Sequence, residues 1–253
     1  MTAPPAPPAD PGSHSVSQQV LAPAKLTLSL RVTGVRPDGY HLIDAEMVTV
    51  DLVDRLSFSA GDGPEVLGDA AAGVSEGIDN LVRRALSAAG VRAQVVLEKR
   101  IPAGAGLGGG SADAAAVLRW AGCGDVAVAA ALGSDVPFCL VGGSARVRGT
   151  GEIVDPLPWS EVEGRRFTLL IPPFAVSTPA VYQAWDHLGG PSGEGPNDLT
   201  PAALAVEPEM ARWRDLLGDA TGEMPVLAGS GSAWFVSGDH PGEGRLVVKA
   251  VRP

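Results

Sequence analysis

The sequence predicts an α+β fold in two lobes, and three observations support this prediction. Apolar and polar residues alternate strictly over residues 24–32, which is typical of a half-buried strand. A glycine-rich stretch at 102–110 runs into an alanine-rich one, which predicts a loop followed by a helix. Around 155–163 the pattern breaks into proline and charge, and strand and helix patterns then alternate. We therefore expect two mixed lobes that meet at this break.

The elements of the first lobe follow from local patterns. Asp79 or Asn80 is placed to cap a helix that Gly90 ends, and Asp125 begins another that Gly133 ends. A Pro-Asp-Gly turn is expected within 36–41, and a loop with one short helical turn at 134–143. The predicted strands are 24–32, 45–52, 54–59, 93–100 and 144–149, and the strands at 45–52 and 54–59 are expected to form a hairpin or meander. The predicted helices are 79–90, 111–120 and 125–132.

The second lobe is predicted in the same way. A helix begins with Thr178 as its cap and a proline in its first turn, where proline is favoured. Residues 189–197 are rich in glycine and proline and are expected to form a mobile loop. The predicted strands are 165–172, two apolar runs within 224–238 that flank a Gly-Ser-Gly-Ser loop at 229–232, and 244–251, and the predicted helices are 178–188 and 208–220.

Composition and charge exclude several classes of protein. The net charge is −10 and no block of basic residues occurs, so a nucleic-acid partner is not expected. Apolar runs are too short to cross a membrane, and the first residues lack the pattern of a secretory signal. Residues 1–18, rich in proline and small residues, are expected to form a disordered tail. These observations predict a cytoplasmic protein.

Cysteine and histidine provide no metal or disulfide pattern. Cys123 and Cys139 do not form a Cys-x-x-Cys pair, and the four histidines are scattered along the chain. We expect both cysteines to be small buried apolar residues.

The stretch "PAGAGLGGGSADAAA", residues 102–116, has the composition of a phosphate-binding loop. Glycines before a helix let backbone N–H groups approach an anion at the positive end of the helix dipole. Ser111 can cap that helix, or bind a phosphate oxygen or its Mg²⁺. No lysine follows as a P-loop requires, and Gly104, Gly106 and Gly109 match the dinucleotide pattern without its second strand. An alternative is that the glycines serve only tight packing.

Several segments together resemble the GHMP kinases. "PAGAGLGGGSADAAA" is similar to their central motif, "APAKLTLSLRV" to their N-terminal motif and "AGSGSAWFV" to their C-terminal glycine motif. "RPDGYH", "SDVPF", "VSTPAVYQAW" and "NDLTPAAL" resemble the members that phosphorylate the 2-hydroxyl of a cytidyl-methylerythritol in the non-mevalonate isoprenoid pathway. The resemblance extends from about Ala22 to the last strand.

The resemblance implies a two-lobed GHMP kinase fold. The first lobe would be ribosomal-protein-S5-like and bind ATP (residues 19–157), and the second would be ferredoxin-like (158–253), with substrates meeting in the cleft. The 229–232 loop would brace the catalytic loops. The implied cofactors are ATP and Mg²⁺, with Ser111 as a metal ligand. A monomer or homodimer that uses small-molecule substrates is expected, without nucleic acid or membrane partners.

The resemblance also implies roles for individual residues. Lys25 and Asp135 would be catalytic, and the ATP phosphates would be wrapped by Pro102, Ala103, Gly104, Ala105, Gly106, Leu107, Gly108, Gly109, Gly110, Ser111 and Ala112. The substrate would be bound by Thr27, which stands where the family usually has asparagine, and by Tyr40, His41, Thr178 and Tyr182.

Without the family, the same residues have simpler interpretations. Lys25 would be a solvated lysine on the polar face of a strand. Asp135 would be a helix N-cap. Tyr182 would be a core contact of Trp185, and Tyr40 a turn anchor.

At the level of function, three alternatives stay open beside the kinase of a cytidyl substrate. These are a GHMP kinase for another alcohol, a non-catalytic binding protein on the same scaffold, and a dinucleotide oxidoreductase.

Overall fold

The structure, a computed structural model, describes residues 18–71, 74–190 and 195–252. Of the predicted tail, residues 1–17 lie outside the described residues, and Gln18 begins the first strand. In the described part of the chain, no helix is both long and apolar enough to span a membrane.

Strands and helices alternate in both halves of the chain, as the α+β prediction requires. The strands are β1 (Gln18–Val35), β2 (His41–Ser59), β3 (Gly63–Leu67), β4 (Gln94–Glu98), β5 (Ser144–Gly149), β6 (Ile153–Pro156), β7 (Arg166–Leu170), β8 (Val226–Leu227), β9 (Trp234–Ser237) and β10 (Arg245–Lys249). The α-helices are α1 (Leu81–Ala88), α2 (Gly109–Trp120), α3 (Val126–Leu132), α4 (Val136–Val141), α5 (Thr178–His187), α6 (Thr200–Val206) and α7 (Met210–Thr221), and Trp159–Glu161 form a short 3₁₀ helix.

The first sheet is built around β2. Among the described residues it has six strands in the order β3-β4-β2-β5-β6, with β1 also paired to β2. All pairs are antiparallel except β3 with β4. The short strands β3 and β6 were not predicted.

The predicted hairpin or meander within β2 is wrong, because β2 is one continuous strand. Its pairing with β1 continues through Val53, which lies opposite Pro23, and a bulge between Pro23 and Lys25 absorbs the irregularity. Asp54, where the second of the two predicted strands was expected to begin, lies inside β2, and its side chain is fully buried and bound to Lys99. A buried ion pair therefore permits an aspartate inside a strand that would otherwise be interrupted.

The second sheet is wholly antiparallel. Within the described residues it has four strands in the order β10-β7-β9-β8. Helices α5 and α7 agree with prediction, except that Ser177 rather than Thr178 caps α5. Ser177 accepts a hydrogen bond from Ala180 N, while the Thr178 hydroxyl bonds elsewhere. Helix α6 was not predicted.

The interior joins the two lobes. In the first lobe, α2 packs closely because Ala112, Ala114, Ala115 and Ala116 are all fully buried. A second apolar cluster includes residues of both lobes, among them Ala24, Leu26, Ile101, Leu107, Phe167, Leu169 and Phe235. The chain end also crosses over, because Val251 N donates to Thr49 O. The domain boundary between residues 157 and 158 stays a prediction.

Candidate active site

A cavity of 740 Å³ opens between the lobes and collects most of the predicted site residues. Lys25, Tyr40, His41, Pro102 through Ser111, Asp135, Thr178 and Tyr182 line it. Thr27 and Ala112 do not line it. Thr27 is buried and accepts a hydrogen bond from Lys25, and Ala112 is buried in α2.

The glycine-rich loop joins β4 to α2 and leaves the helix start open. Gly104, Gly106 and Gly108 have φ of +68°, +76° and +68°, a region that favours glycine. The N-cap of α2 is Gly108, which has no side chain to bond the first N–H groups. The residues of this first turn line the cavity, so their N–H groups are placed to bind an anion there.

Ser111 does not cap the helix, so the first of its two predicted roles is wrong. Helix α2 begins at Gly109, two residues before Ser111. A Cβ on Gly109 would lie 3.0 Å from Ile101 Cγ2, so glycine allows this turn to pack against the preceding strand end. The Ser111 hydroxyl, on the lining of the cavity, is then free to serve a ligand.

The second lobe holds the glycine-rich loop in place. Ser232 N donates to Gly104 O and Ala233 N donates to Ala105 O, both at 3.1 Å. A Cβ on Gly106 would lie 1.9 Å from Ala228 O, so no other residue fits there. The 229–232 loop therefore supports the glycine-rich loop directly.

Lys25 and Asp135 form an ion pair at the cavity wall. Lys25 Nζ lies 3.4 Å from Asp135 Oδ2 and donates to Thr27 Oγ1 at 3.1 Å. Lys25 is only 4% exposed, so its interpretation as a solvated surface lysine is wrong. Its main-chain N–H donates to Leu107 O, which joins β1 to the glycine-rich loop. Asp135 occupies the N-cap position of α4 but makes no side-chain cap bond, so its carboxylate is available to Lys25 and to a ligand.

His41 is held against α5 on another wall of the cavity. Its Nε2 lies 2.8 Å from Asp186 Oδ1, and its ring centroid lies 4.7 Å from that of Tyr182 and 5.5 Å from that of Trp185. Burial, with the charge of Asp135, raises the pKa of Tyr182, so this phenol stays neutral. Tyr40, in contrast, is 60% exposed beside the cavity.

Two further buried residues were missed by the sequence analysis. Asn197, 1% exposed, donates from Nδ2 to Leu227 O at 2.8 Å and Gly229 O at 2.7 Å. Asp198 accepts from Val32 N and forms an ion pair with Arg31. The expectation of a mobile loop at 189–197 is therefore wrong for Asn197, while 191–194 lie outside the described residues. The Asn-Asp pair before Thr-Pro signals a helix start, but not a connection to a distant loop.

A buried charge cluster lies beneath the glycine-rich loop. Lys99 Nζ contacts Asp54 Oδ2 at 2.5 Å and Asp113 Oδ2 at 2.7 Å. Asp54 Oδ1 also accepts from Arg100 N and Ile101 N, so the cluster connects the strand end before the loop to the helix after it.

The cluster has one more carboxylate than it has cations. Burial raises the pKa of Asp113 to about 7, with Asp54 acting in the same direction and Lys99 opposing it. Burial lowers the pKa of Lys99, but the two carboxylates outweigh this and raise it overall. Asp113 Oδ1 is buried and has no hydrogen-bond partner in the described part of the chain.

Among residues 18–71, 74–190 and 195–252, no three His, Cys, Asp or Glu side chains gather as a metal site would require.

Comparison with known proteins gives consistent matches. Residues 72–143 match the family model described as the GHMP kinases N terminal domain. The 4-diphosphocytidyl-2-C-methyl-D-erythritol kinase of Paracoccus denitrificans (strain Pd 1222) is 39% identical over 233 residues, which cover 85% of this chain and 84% of that protein. The protein of the same name from Cereibacter sphaeroides (strain ATCC 17029 / ATH 2.4.9) is 38% identical over 245 residues, which cover 86% of this chain and 88% of that protein.

Solved structures agree with this result. The crystal structure of a 4-(cytidine 5′-diphospho)-2C-methyl-D-erythritol kinase matches with a TM-score of 0.65 and 34% identity, and covers 86% of this chain and 89% of its own. The mevalonate kinase of Methanococcus jannaschii matches with a TM-score of 0.58 at 10% identity, which demonstrates a shared fold alone. The two-lobed GHMP kinase fold that the sequence predicted is therefore confirmed.

Proposed function

The chain belongs to the 4-diphosphocytidyl-2-C-methyl-D-erythritol kinases of the GHMP kinase family, and from this premise we propose that it transfers the γ-phosphoryl group of ATP to the 2-hydroxyl of 4-(cytidine 5′-diphospho)-2-C-methyl-D-erythritol. The reaction belongs to the non-mevalonate route to isoprenoid precursors. The observation that carries the proposal is the Lys25–Asp135 ion pair at the wall of the cavity that the glycine-rich loop also lines.

ATP is the phosphoryl donor, and its phosphates would lie along residues 102–111, the part of the predicted stretch that lines the cavity. The uncapped N–H groups of α2 supply positive potential without a side chain, so the anion can approach the backbone closely. Because phosphoryl transfer requires positioning and charge stabilisation more than covalent chemistry, this cradle suits the reaction.

Lys25 and Asp135 would act on the attacking hydroxyl. Asp135 would accept the hydroxyl proton as the new P–O bond forms, or orient the hydroxyl towards phosphorus. Lys25 would stabilise the negative charge that develops on the oxygen. The fixed position of its ammonium group, between Thr27 Oγ1 and Asp135 Oδ2, supports this role because no reorganisation is needed.

Mg²⁺ would be held by the Ser111 hydroxyl together with ATP phosphate oxygens and water. This donor set fits Mg²⁺, which keeps several waters and is commonly bound through substrate phosphates. When bound, the ion neutralises charge on the transferred group. The free position of the Ser111 hydroxyl near the start of α2 supports its assignment.

The cytidine end of the substrate would lie beside Tyr40, His41 and Tyr182. An aromatic face stacks on a base, and a histidine can hydrogen-bond to its edge. Thr178, whose hydroxyl bonds Ser230, would bind the substrate from α5, and Thr27 would act through Lys25.

Other expectations remain predictions. The net charge of −10 supports the absence of a nucleic-acid partner. The free thiols of Cys123 and Cys139 agree with the reducing cytoplasm. A monomer or a homodimer is expected.

The test is ADP release from the purified protein with Mg-ATP and the cytidyl substrate. We expect substrate-dependent ADP from the wild type and none above background from Asp135→Asn. Asp215→Asn, on the exposed side of α7, is the matched control and should keep full activity. A folded wild type without substrate-dependent ADP would contradict the proposal and favour another alcohol or a binding protein. An active Asp135→Asn would contradict the assigned role of the carboxylate alone.

A further inference from the structure

One face of α5 provides three separate contacts to His41. Tyr182, Trp185 and Asp186 are at spacings i, i+3 and i+4, so they lie on the same side of the helix. Tyr182 packs against the imidazole face at a tilt of 35°, and Trp185 meets it edge-on at 86°. Asp186 contacts the Nε2 atom. The His41 side chain is only 9% exposed, so helix and strand together fix the plane of its ring.

The carboxylate also determines which ring nitrogen carries the proton. An ionised carboxylate only accepts hydrogen bonds, so the His41 nitrogen that faces it must be the donor. In the neutral ring this makes Nε2 the N–H and Nδ1 the acceptor. No described residue hydrogen-bonds to His41 Nδ1, and His41 is one of the residues that line the cavity, so Nδ1 is the ring nitrogen left for a ligand.

An acceptor at this position distinguishes one pyrimidine from the other. Cytosine carries an exocyclic amino group, which donates a hydrogen bond, whereas uracil has a carbonyl oxygen at the same position. A site built to bond a donor rejects an analogue that lacks it, because two acceptors then face each other without a proton.

We propose that Asp186 is a positioning residue that holds His41 in the Nε2–H form and thereby makes the site select cytosine over uracil. The proposal rests on the proposed function, because it takes the cytidine end of the substrate to lie beside His41. Asp186 itself is 47% exposed and anchored by no other hydrogen bond among the described residues, so its replacement leaves the core intact.

Two variants separate the acceptor character of Asp186 from its bulk. Asp186→Asn has the same shape, but an amide can donate as well as accept, so the ring can adopt the other tautomer. Asp186→Glu keeps an acceptor-only group on a flexible, half-exposed side chain. Asp215→Asn, a carboxylate on α7 that pairs with its neighbour Arg214, controls for loss of one negative charge.

The kinetic test compares kcat/KM for the cytidyl substrate with kcat/KM for its uridyl analogue. We expect Asp186→Asn to lower this preference about tenfold, the effect of one neutral hydrogen bond. Asp186→Glu and Asp215→Asn should keep the wild-type preference. An equal loss for both bases in Asp186→Asn, or no loss, would overturn the proposal, since a merely structural role affects both substrates alike.

A spectroscopic test needs no substrate. The chain has four histidines, so ¹⁵N-histidine labelling gives a simple spectrum, and His41→Gln identifies the relevant signals. We expect the neutral Nε2–H form in the wild type and a mixture of tautomers in Asp186→Asn. A ring in the Nδ1–H form, or doubly protonated across the assay range, would overturn the proposal.

The two measurements also distinguish a failure of the proposed function from a failure of the role assigned to Asp186. A wild type inactive on the cytidyl substrate would refute the proposed function and, with it, the selection of cytosine. The effect of Asp186 on the His41 tautomer would still be decided by the spectrum.

Discussion

Replacing Asp113 with asparagine should change how the stability of the protein depends on pH. The side chain is buried beside Lys99 and Asp54, and one of its oxygens has no hydrogen-bond partner among the described residues. Burial raises its pKa from the usual 3.8 to about 7. Between these two values the folded protein binds a proton at Asp113 and the unfolded chain does not. The free energy of unfolding therefore falls as pH rises through this window, and the loss levels off above pH about 7.

The magnitude follows from the two pKa values. The slope approaches 1.36 kcal/mol per pH unit in the middle of the window, so between pH 5 and pH 8 this one group should cost about 2.5 kcal/mol. Asparagine resembles the protonated carboxyl and does not titrate. The variant should match the wild type near pH 5 and exceed it near pH 8. The lowered pKa values of Asp44 and Glu152 act only at more acidic pH.

The assay is urea unfolding of wild type and Asp113→Asn at pH 5, 6, 7 and 8, with the difference between the two free energies of unfolding plotted against pH. All other titratable groups are the same in the two proteins, so they cancel in this difference. Asp215→Asn, an exposed carboxylate, should run parallel to the wild type. If the free energy of unfolding of Asp113→Asn also runs parallel to that of the wild type, the difference does not change with pH. Asp113 is then ionised throughout, and the reasoning from its burial is wrong.

Three other changes test the site. Gly106→Ala places a Cβ against Ala228 O at a positive φ, so it should lower stability by about 2 kcal/mol and raise the KM for ATP. Gly124→Ala, which has open space around it, should change neither quantity. Thermal unfolding and steady-state kinetics measure the two effects. Asn197→Asp removes the donor to two buried carbonyls and should lower the free energy of urea unfolding by at least about 2 kcal/mol; an unchanged value would refute that role. Lys25→Ala should abolish ADP release while the circular dichroism spectrum stays native, and retained turnover would contradict its catalytic assignment.

Local patterns predicted much of the fold. The alternation at 24–32 lies inside β1, and the switch from glycine to alanine marks the loop and α2. These signals succeed because each depends on residues close together in the chain. The cavity residues, in turn, came from motifs rather than from periodicity.

The features that local patterns did not predict depend on residues far apart in the chain. The break expected near Asp54 is absent because Lys99, 45 residues away, satisfies its charge. The contact between His41 and Asp186 spans 145 residues, and Asn197 reaches loop atoms about thirty residues further on. The start of α2 was predicted at Ser111, two residues too late, because three successive glycines give no signal for where a helix begins.

The backbone bonds of the glycine-rich loop have a consequence for unfolding. Gly104 O accepts hydrogen bonds from both Val176 N and Ser232 N, so the segment that would cradle the nucleotide is completed by the other lobe. Loss of structure in either lobe then dismantles the nucleotide site, and bound nucleotide stabilises both lobes together. Trp120, stacked on Phe58, and Trp234, buried in the second sheet, should accordingly report a single melting temperature that rises equally for both when ATP is added.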